Sequence, residues 1–305
     1  MLINKKKKEI DKITKIMFLL ITLICVSAIF GIVFIILLKG IKPFTSSYLV
    51  EGQVVQANIN NFLFGFSWEK TSTDFGVLFI LINTIYITLL SLIISAPISI
   101  LTALFIVRIA PNWLGKILTT VTEILSSIPS IIYGLFGAGI VTNTIKNIAN
   151  VFNYQTAGGL STLATVLVLS MMIMPTITTI SITSIKSVRQ DIINGSLALG
   201  ASKMQTNFKV VLISAKSGIM SGIILGIGRA LGEATAVSMV CGNAGSGPTF
   251  SLFDITRTLT STMLTGISES EGLKYDIRFS IAIILLLLIV IVNTIFNNVK
   301  KKVGN

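Results

Sequence analysis

Residues 75–107 contain no charged side chain: thirty-three consecutive positions, rich in Leu and Ile and interrupted once by Pro97. A backbone crossing hydrocarbon must satisfy its own N–H and C=O groups, and a helix does so within the segment. About 20 apolar residues suffice for one crossing. Residues 17–38 form a second run, 22 positions without a charge, and four more runs follow. Only 12% of the chain is charged and 52% is hydrophobic, with mean hydropathy +0.88. A soluble domain carries roughly 25% charged residues. The chain therefore reads as an all-α polytopic membrane protein with six transmembrane helices.

In chain order, the reading gives a basic tail over 1–16, a first span over 17–38, an outer segment over 39–74 and a core over 75–299. The core helices are expected at about 77–107, 124–145, 159–185, 217–241 and 279–299. An inner segment lies at 190–209, and a short basic tail at 300–305. Val26-Ser27-Ala28 resembles a signal-cleavage site, but the apolar run continues ten residues past it, so the first span is expected to stay as an anchor. Pro129 interrupts the third span near its start, and Ser126, Ser127 and Ser130 can satisfy the backbone groups it frees.

The chain has no histidine, which removes the usual general base and the commonest metal ligand. Cys25 and Cys241 lack metal-like spacing. No Gly-rich phosphate loop of the G-x-x-x-x-G-K-[ST] type is present, so nucleotide hydrolysis is not expected from this chain. An intramembrane enzyme is disfavoured on the same grounds.

Charge supplies the orientation. With the N-terminus inside, the inner segments hold sixteen Lys and Arg against four acids, whereas the outer segments hold seven of each sign. This is the positive-inside bias, and it places both termini in the cytoplasm. The net charge of +12 reports orientation, because the lysines flank spans and form no patch for nucleic acid.

Residues 191–243 carry the features that bear on function. Arg229 and Glu233 lie four apart within an apolar helix and are expected to share a face and pair. Ionisable groups at that depth cost about 2.5–3.5 kcal/mol on insertion scales. Such a pair either fixes helix packing or faces an aqueous route. Gly218, Gly222, Gly226, Ala230 and Ala234 recur every four residues, a stripe that admits close approach of another helix. Arg229 adjoins that stripe, so it is expected near a helix interface and away from lipid. The inner segment interleaves Leu197, Ala198, Leu199, Ala201 and Met204 with Lys203, Gln205 and Lys209, and Gly200 permits a bend. Such an amphipathic segment suits a groove on a soluble partner or the surface of anionic lipid.

These residues resemble a known family. Ser196-Leu197-Ala198-Leu199-Gly200-Ala201-Ser202, followed by Phe208-Lys209-Val210-Val211-Leu212, looks like the EAA loop of ABC-importer permeases. Arg229-Ala230-Leu231-Gly232-Glu233, with Gly242-Asn243, looks like the fifth span of phosphate-transport permeases. The stretch from Glu123 to Gly137, around Pro129, resembles their third-span signature, and Met174-Pro175-Thr176 the fourth. Phe62 to Trp68, then Phe75-Gly76, resembles the PstC type more than the PstA type. The chain departs from the pattern at Asn194-Gly195-Ser196, where the family writes Glu-Ala-Ala, and at Leu212-Ile213, where it writes Leu-Pro.

The resemblance implies an ABC type-1 importer transmembrane domain, one half of a channel completed by a PstA-like permease. It implies a dimer of a PstB-like cytoplasmic ATPase, carrying ATP and Mg, docked on residues 197–202. It implies an extracytoplasmic phosphate-binding protein on the outer face. The expected path residues are Arg229, Glu233, Thr235, Ser238 and Thr176. A sulfate or molybdate permease shares this architecture. A secondary transporter driven by an ion gradient would work without the ATPase and is expected to show an internal repeat, which is not found.

Overall fold

The computed structural model describes the backbone of residues 2–304 and the side chains of residues 11–302. Lys5 to Lys8 of the basic tail lie outside the described side chains. The chain is mostly helical. A long helix α1 (Leu2–Thr45) leads into a hairpin, β1 (Tyr48–Val50) and β2 (Gln53–Val55), and a short helix α2 (Ile59–Phe64). Then come α3 (Leu78–Leu104), α4 (Asn112–Ser127), α5 (Ser130–Phe136), α6 (Thr142–Val151) and α7 (Thr162–Lys186). The inner segment holds α8 (Gln190–Ala198), α9 (Lys203–Thr206) and α10 (Leu212–Ser214). The chain ends with α11 (Lys216–Gly232), α12 (Thr235–Val240), α13 (Leu259–Leu264) and α14 (Gly272–Gly304). Four helices are long and apolar enough to cross a membrane alone, and two bent helix pairs raise the number to six.

The centre is a three-helix seam of α3, α7 and α11. Ser91, Ser95 and Ser99 put small side chains every four residues along α3, and all three are buried. Ser91 Oγ donates to the Val166 carbonyl at 3.2 Å, Ser170 Oγ to the Ser91 carbonyl at 3.2 Å and Ser99 Oγ to the Met174 carbonyl at 3.1 Å. Small polar residues let backbones approach and bond across the seam, which substitutes for the hydrophobic drive that lipid does not provide. On the other side of α7, the glycine stripe does the same. A Cβ built on Gly218 would stand 2.3 Å from Ser184 Oγ, and one on Gly226 would stand 2.8 Å from Ile177 Cγ1. Gly222 sits on Ile180. Ala230 is buried at the end of the row, while Ala234 lies past the end of α11.

Two expected spans differ from the structure. The third is an elbow: residues 112–127 and 130–151 meet at 92° around Pro129. Proline cannot donate, and the residue before it is pushed out of the helical region. Ile128 accordingly has ψ 127°. Ser126 and Ser127 donate to the Glu123 and Ile124 carbonyls, and Tyr133 Oη reaches the Leu125 carbonyl at 2.9 Å. The fifth span, expected as one helix over 217–241, is interrupted after Gly232, where Glu233 turns extended at ψ 115°. The break puts Arg229 inside α11 and Glu233 beyond its end.

The segments around the hairpin and before α13 are tied to the helices by side-chain bonds. Tyr48 Oη donates to Asp276 at 2.8 Å, and Lys42 pairs with the same carboxylate at 3.2 Å. This ties the hairpin and the end of α1 to the start of α14. Burial, then the bond to Asp276, pushes the Tyr48 phenol well above its ordinary value, so it stays protonated and donating at neutral pH. Arg257, buried in the stretch before α13, donates to the Ala244 and Asn243 carbonyls at 2.7 and 2.8 Å. Burial draws its pKa down, and nearby Glu69 opposes that shift.

Candidate functional site

The break after Gly232 organises the site. Arg229 lies in the last turn of α11, about 20 Å of helix rise from Lys216. Cations are favoured there because the final carbonyls are unpaired and the helix dipole is negative. Glu233 is engaged elsewhere. Its Oε1 accepts from the Ala236 N–H at 2.9 Å and caps α12, and its carbonyl accepts from Thr260 Oγ1 at 2.7 Å. Among the described residues the ion pairs are Lys42–Asp276, Arg189–Asp191 and Arg278–Glu69. The expected Arg229–Glu233 pair is therefore not formed here. An i, i+4 pair needs a continuous helix, and the chain turns between the two residues.

Arg229 instead donates Nη1 to Thr176 Oγ1 at 2.7 Å. Thr176 follows Pro175 in α7, so the fourth- and fifth-span motifs meet at this bond. No other hydrogen bond within the described residues engages the guanidinium, which has five donors. Both residues line a cleft of about 630 Å³ whose apolar wall includes Ile224 and Leu225. Ser221 joins them from α11, and Asn293, Asn297 and Lys300 from α14. The expected path does not include those three, yet their spacing of four and three residues puts them on one face of α14. Polar residues at that spacing inside the last apolar run are the signal that marks them. Thr235 and Ser238 lie on α12 and do not line the cleft. Ser238 Oγ bonds back to the Thr235 carbonyl at 2.9 Å.

The inner segment forms a hinge with an exposed apolar tip. Gly200 has φ +84°, the left-handed region that glycine enters without a Cβ penalty, and no atom crowds its Cβ position. Ser202 then starts α9 with a reciprocal cap: its Oγ accepts from the Gln205 N–H at 3.2 Å, and its own N–H donates to Gln205 Oε1 at 2.9 Å. Ser196 and Thr206 hydroxyls bond at 3.0 Å across the bend. Buried Ile193 roots the segment, while Leu199 is 91% exposed at the tip, flanked by exposed Leu197 and Ala198. Ala201 is half-buried and Asn194 faces outward.

Comparison with known proteins places this arrangement. Residues 95–305 match the family described as "Binding-protein-dependent transport system inner membrane component". The probable ABC transporter permease protein YqgH of Bacillus subtilis is 33% identical over 93% of this chain and 89% of its own length. The phosphate transport system permease protein PstC of Pasteurella multocida is 32% identical, covering 77% of this chain and 78% of that protein. Among solved structures, the MetNI methionine ABC transporter in an inward-facing form superposes with a TM-score of 0.54 at 19% identity, over 75% of this chain and 95% of that one. With two-thirds of its length matched by the family and a 33% identical relative over nearly all of it, the chain belongs to the binding-protein-dependent inner membrane components, the permease subunits of ABC importers.

Proposed function

We propose that this chain is the PstC-like half of an ATP-driven phosphate importer. The observation that carries the reading is Arg229: a guanidinium in the last turn of an apolar helix, bonded to one hydroxyl, without an acidic partner among the described residues and facing a cleft. An uncompensated cation there is costly unless a mobile anion meets it. Phosphate presents several acceptor oxygens, and the guanidinium fork matches them. Similarity to PstC proteins supports phosphate as that anion. A PstA-like permease would supply the other wall of the path. The ATPase dimer, carrying ATP and Mg, would receive the Leu197–Ser202 tip, and an extracytoplasmic phosphate-binding protein would deliver the anion to the outer face. Both termini would lie in the cytoplasm, by the charge bias of the segments. Competition tests the substrate: excess unlabelled phosphate should abolish uptake of labelled phosphate, and equal sulfate should leave it unchanged. Inhibition by sulfate as strong as by phosphate would make the solute oxyanions in general.

The hinge has its own test. Valine at Gly200 must adopt a left-handed conformation costing about 1–2 kcal/mol, which the segment relieves by re-forming its tip. Gly200→Val should lower phosphate uptake about tenfold while ATP hydrolysis by the assembled complex persists. Gly200→Asn, which tolerates that conformation, should retain more transport. Normal uptake in Gly200→Val would remove the coupling role of the tip.

A further inference from the structure

The cleft holds a second cation, and its geometry points to a second anion station inward of Arg229, formed by Lys300 with the carboxamides of Asn293 and Asn297. This inference rests on the transport reading above and extends it to α14. Helices α11 and α14 pack against each other, and the charge bias of the flanking segments has them run in opposite directions, α11 leaving the cytoplasmic side and α14 returning to it. Along α11 the lining goes inward from Arg229 to Ser221; along α14 it goes inward from Asn293 to Lys300. Asn293 and Lys300 are seven residues apart, about 10 Å of rise. The cleft therefore runs along the helices toward the cytoplasmic ends.

Its charge is one-sided. Arg229 and Lys300 both line it, no Asp or Glu does, and among the described residues neither cation is in an ion pair. The intervening polar groups are hydroxyls and carboxamides, which can donate to an oxyanion without holding it by charge. Conduction needs sites strong enough to enter and weak enough to leave, and two separated stations meet that need better than one deep one. Arg229 contributes a fork with fixed geometry; Lys300 contributes a compact, strongly hydrated charge on a flexible stem, suited to releasing an anion to water. Lys300 is half-buried, and its neighbours Lys301 and Lys302 are exposed, so it is the one of the three turned into the cleft.

The test uses inside-out vesicles holding the complete transporter. In a Cys25→Ser background the remaining native thiol, Cys241, is fully buried. Ser221→Cys, on the α11 wall of the same cleft and outside the station, should then react with a membrane-impermeant sulfonate thiosulfonate. Inorganic phosphate at about ten times its dissociation constant should slow that reaction roughly tenfold, and Lys300→Gln should abolish the protection. A cysteine that does not react, or that reacts equally fast with phosphate, overturns the station. So does protection that follows the anionic lipid content of the vesicles and ignores phosphate. Transport gives an independent readout: Lys300→Gln should lower the maximal uptake rate several-fold and Lys300→Arg restore most of it. A wild-type rate in Lys300→Gln also overturns the proposal. If the station fails while Arg229→Ala still abolishes uptake, the phosphate reading survives without it.

Discussion

Arg229→Ala is expected to cut phosphate uptake by roughly one to two orders of magnitude while leaving the amount of the chain in the membrane unchanged. The magnitude follows from hydrogen bonds to charged groups, worth about 1.5–3 kcal/mol, with about 1.4 kcal/mol per factor of ten. Unchanged abundance is the sharper half of the expectation. Breaking a buried ion pair by removing one partner costs about 3–5 kcal/mol, because the other charge is stranded. Here nothing is stranded: Glu233 stays bonded to the Ala236 N–H, and Thr176 can turn its hydroxyl elsewhere. Arg229→Lys keeps the charge and loses the fork, so it should fall between wild type and alanine. Quantitative immunoblotting of membranes beside labelled-phosphate uptake checks both halves. Loss of the protein from the membrane, in step with uptake, would show that Arg229 holds the fold together instead of serving the solute.

Gly226→Val carries the second large effect, this time on structure. Its Cβ would stand 2.8 Å from Ile177 Cγ1, and Ile177 is fully buried, so its own packing leaves it nowhere to go. Overpacking of this kind costs about 1–3 kcal/mol. The strain would push α11 away from α7 one turn before Arg229, lengthening the 2.7 Å bond to Thr176. The detergent-solubilised complex should melt several degrees lower, and uptake should fall by about tenfold. Gly139→Ala is the matched control, because no atom lies within 4 Å of that Cβ position. Equal melting temperatures for Gly226→Val and wild type would mean that the stripe tolerates side chains and the α7–α11 approach is loose.

Hydropathy makes the long spans legible because an apolar run of this length has few other ways to satisfy its backbone, and four helices qualify alone with two bent pairs completing six. The glycine row is equally plain, since small residues every four positions predict close approach, and α7 occupies that groove. Periodicity fails at Gly232-Glu233-Ala234. No proline marks the turn, and the i, i+4 spacing of Arg229 and Glu233 suggests a continuous helix with an internal pair. The structure satisfies each charge differently: the cation at the end of one helix, the anion capping the start of the next. A glycine followed by a capping carboxylate is the available clue. Asn293, Asn297 and Lys300 are hidden for a different reason. Asn293 and Asn297 sit at the end of an apolar run and Lys300 just past it; their spacing shows a shared face, but only the neighbouring helix reveals that this face lines a cleft. The elbow at Pro129 is half visible: the proline marks an interruption, but a proline alone does not specify the 92° angle between the two helices.

The central claim is that this chain shapes a route for an oxyanion while the energy comes from a separate subunit. Its most direct test is uptake of labelled phosphate by sealed vesicles holding this chain with its partner permease, the ATPase and the binding protein, compared with vesicles holding this chain alone. Accumulation should require the full set and ATP, and stop when a non-hydrolysable analogue replaces the nucleotide. Accumulation by the single chain with no nucleotide present would contradict the account.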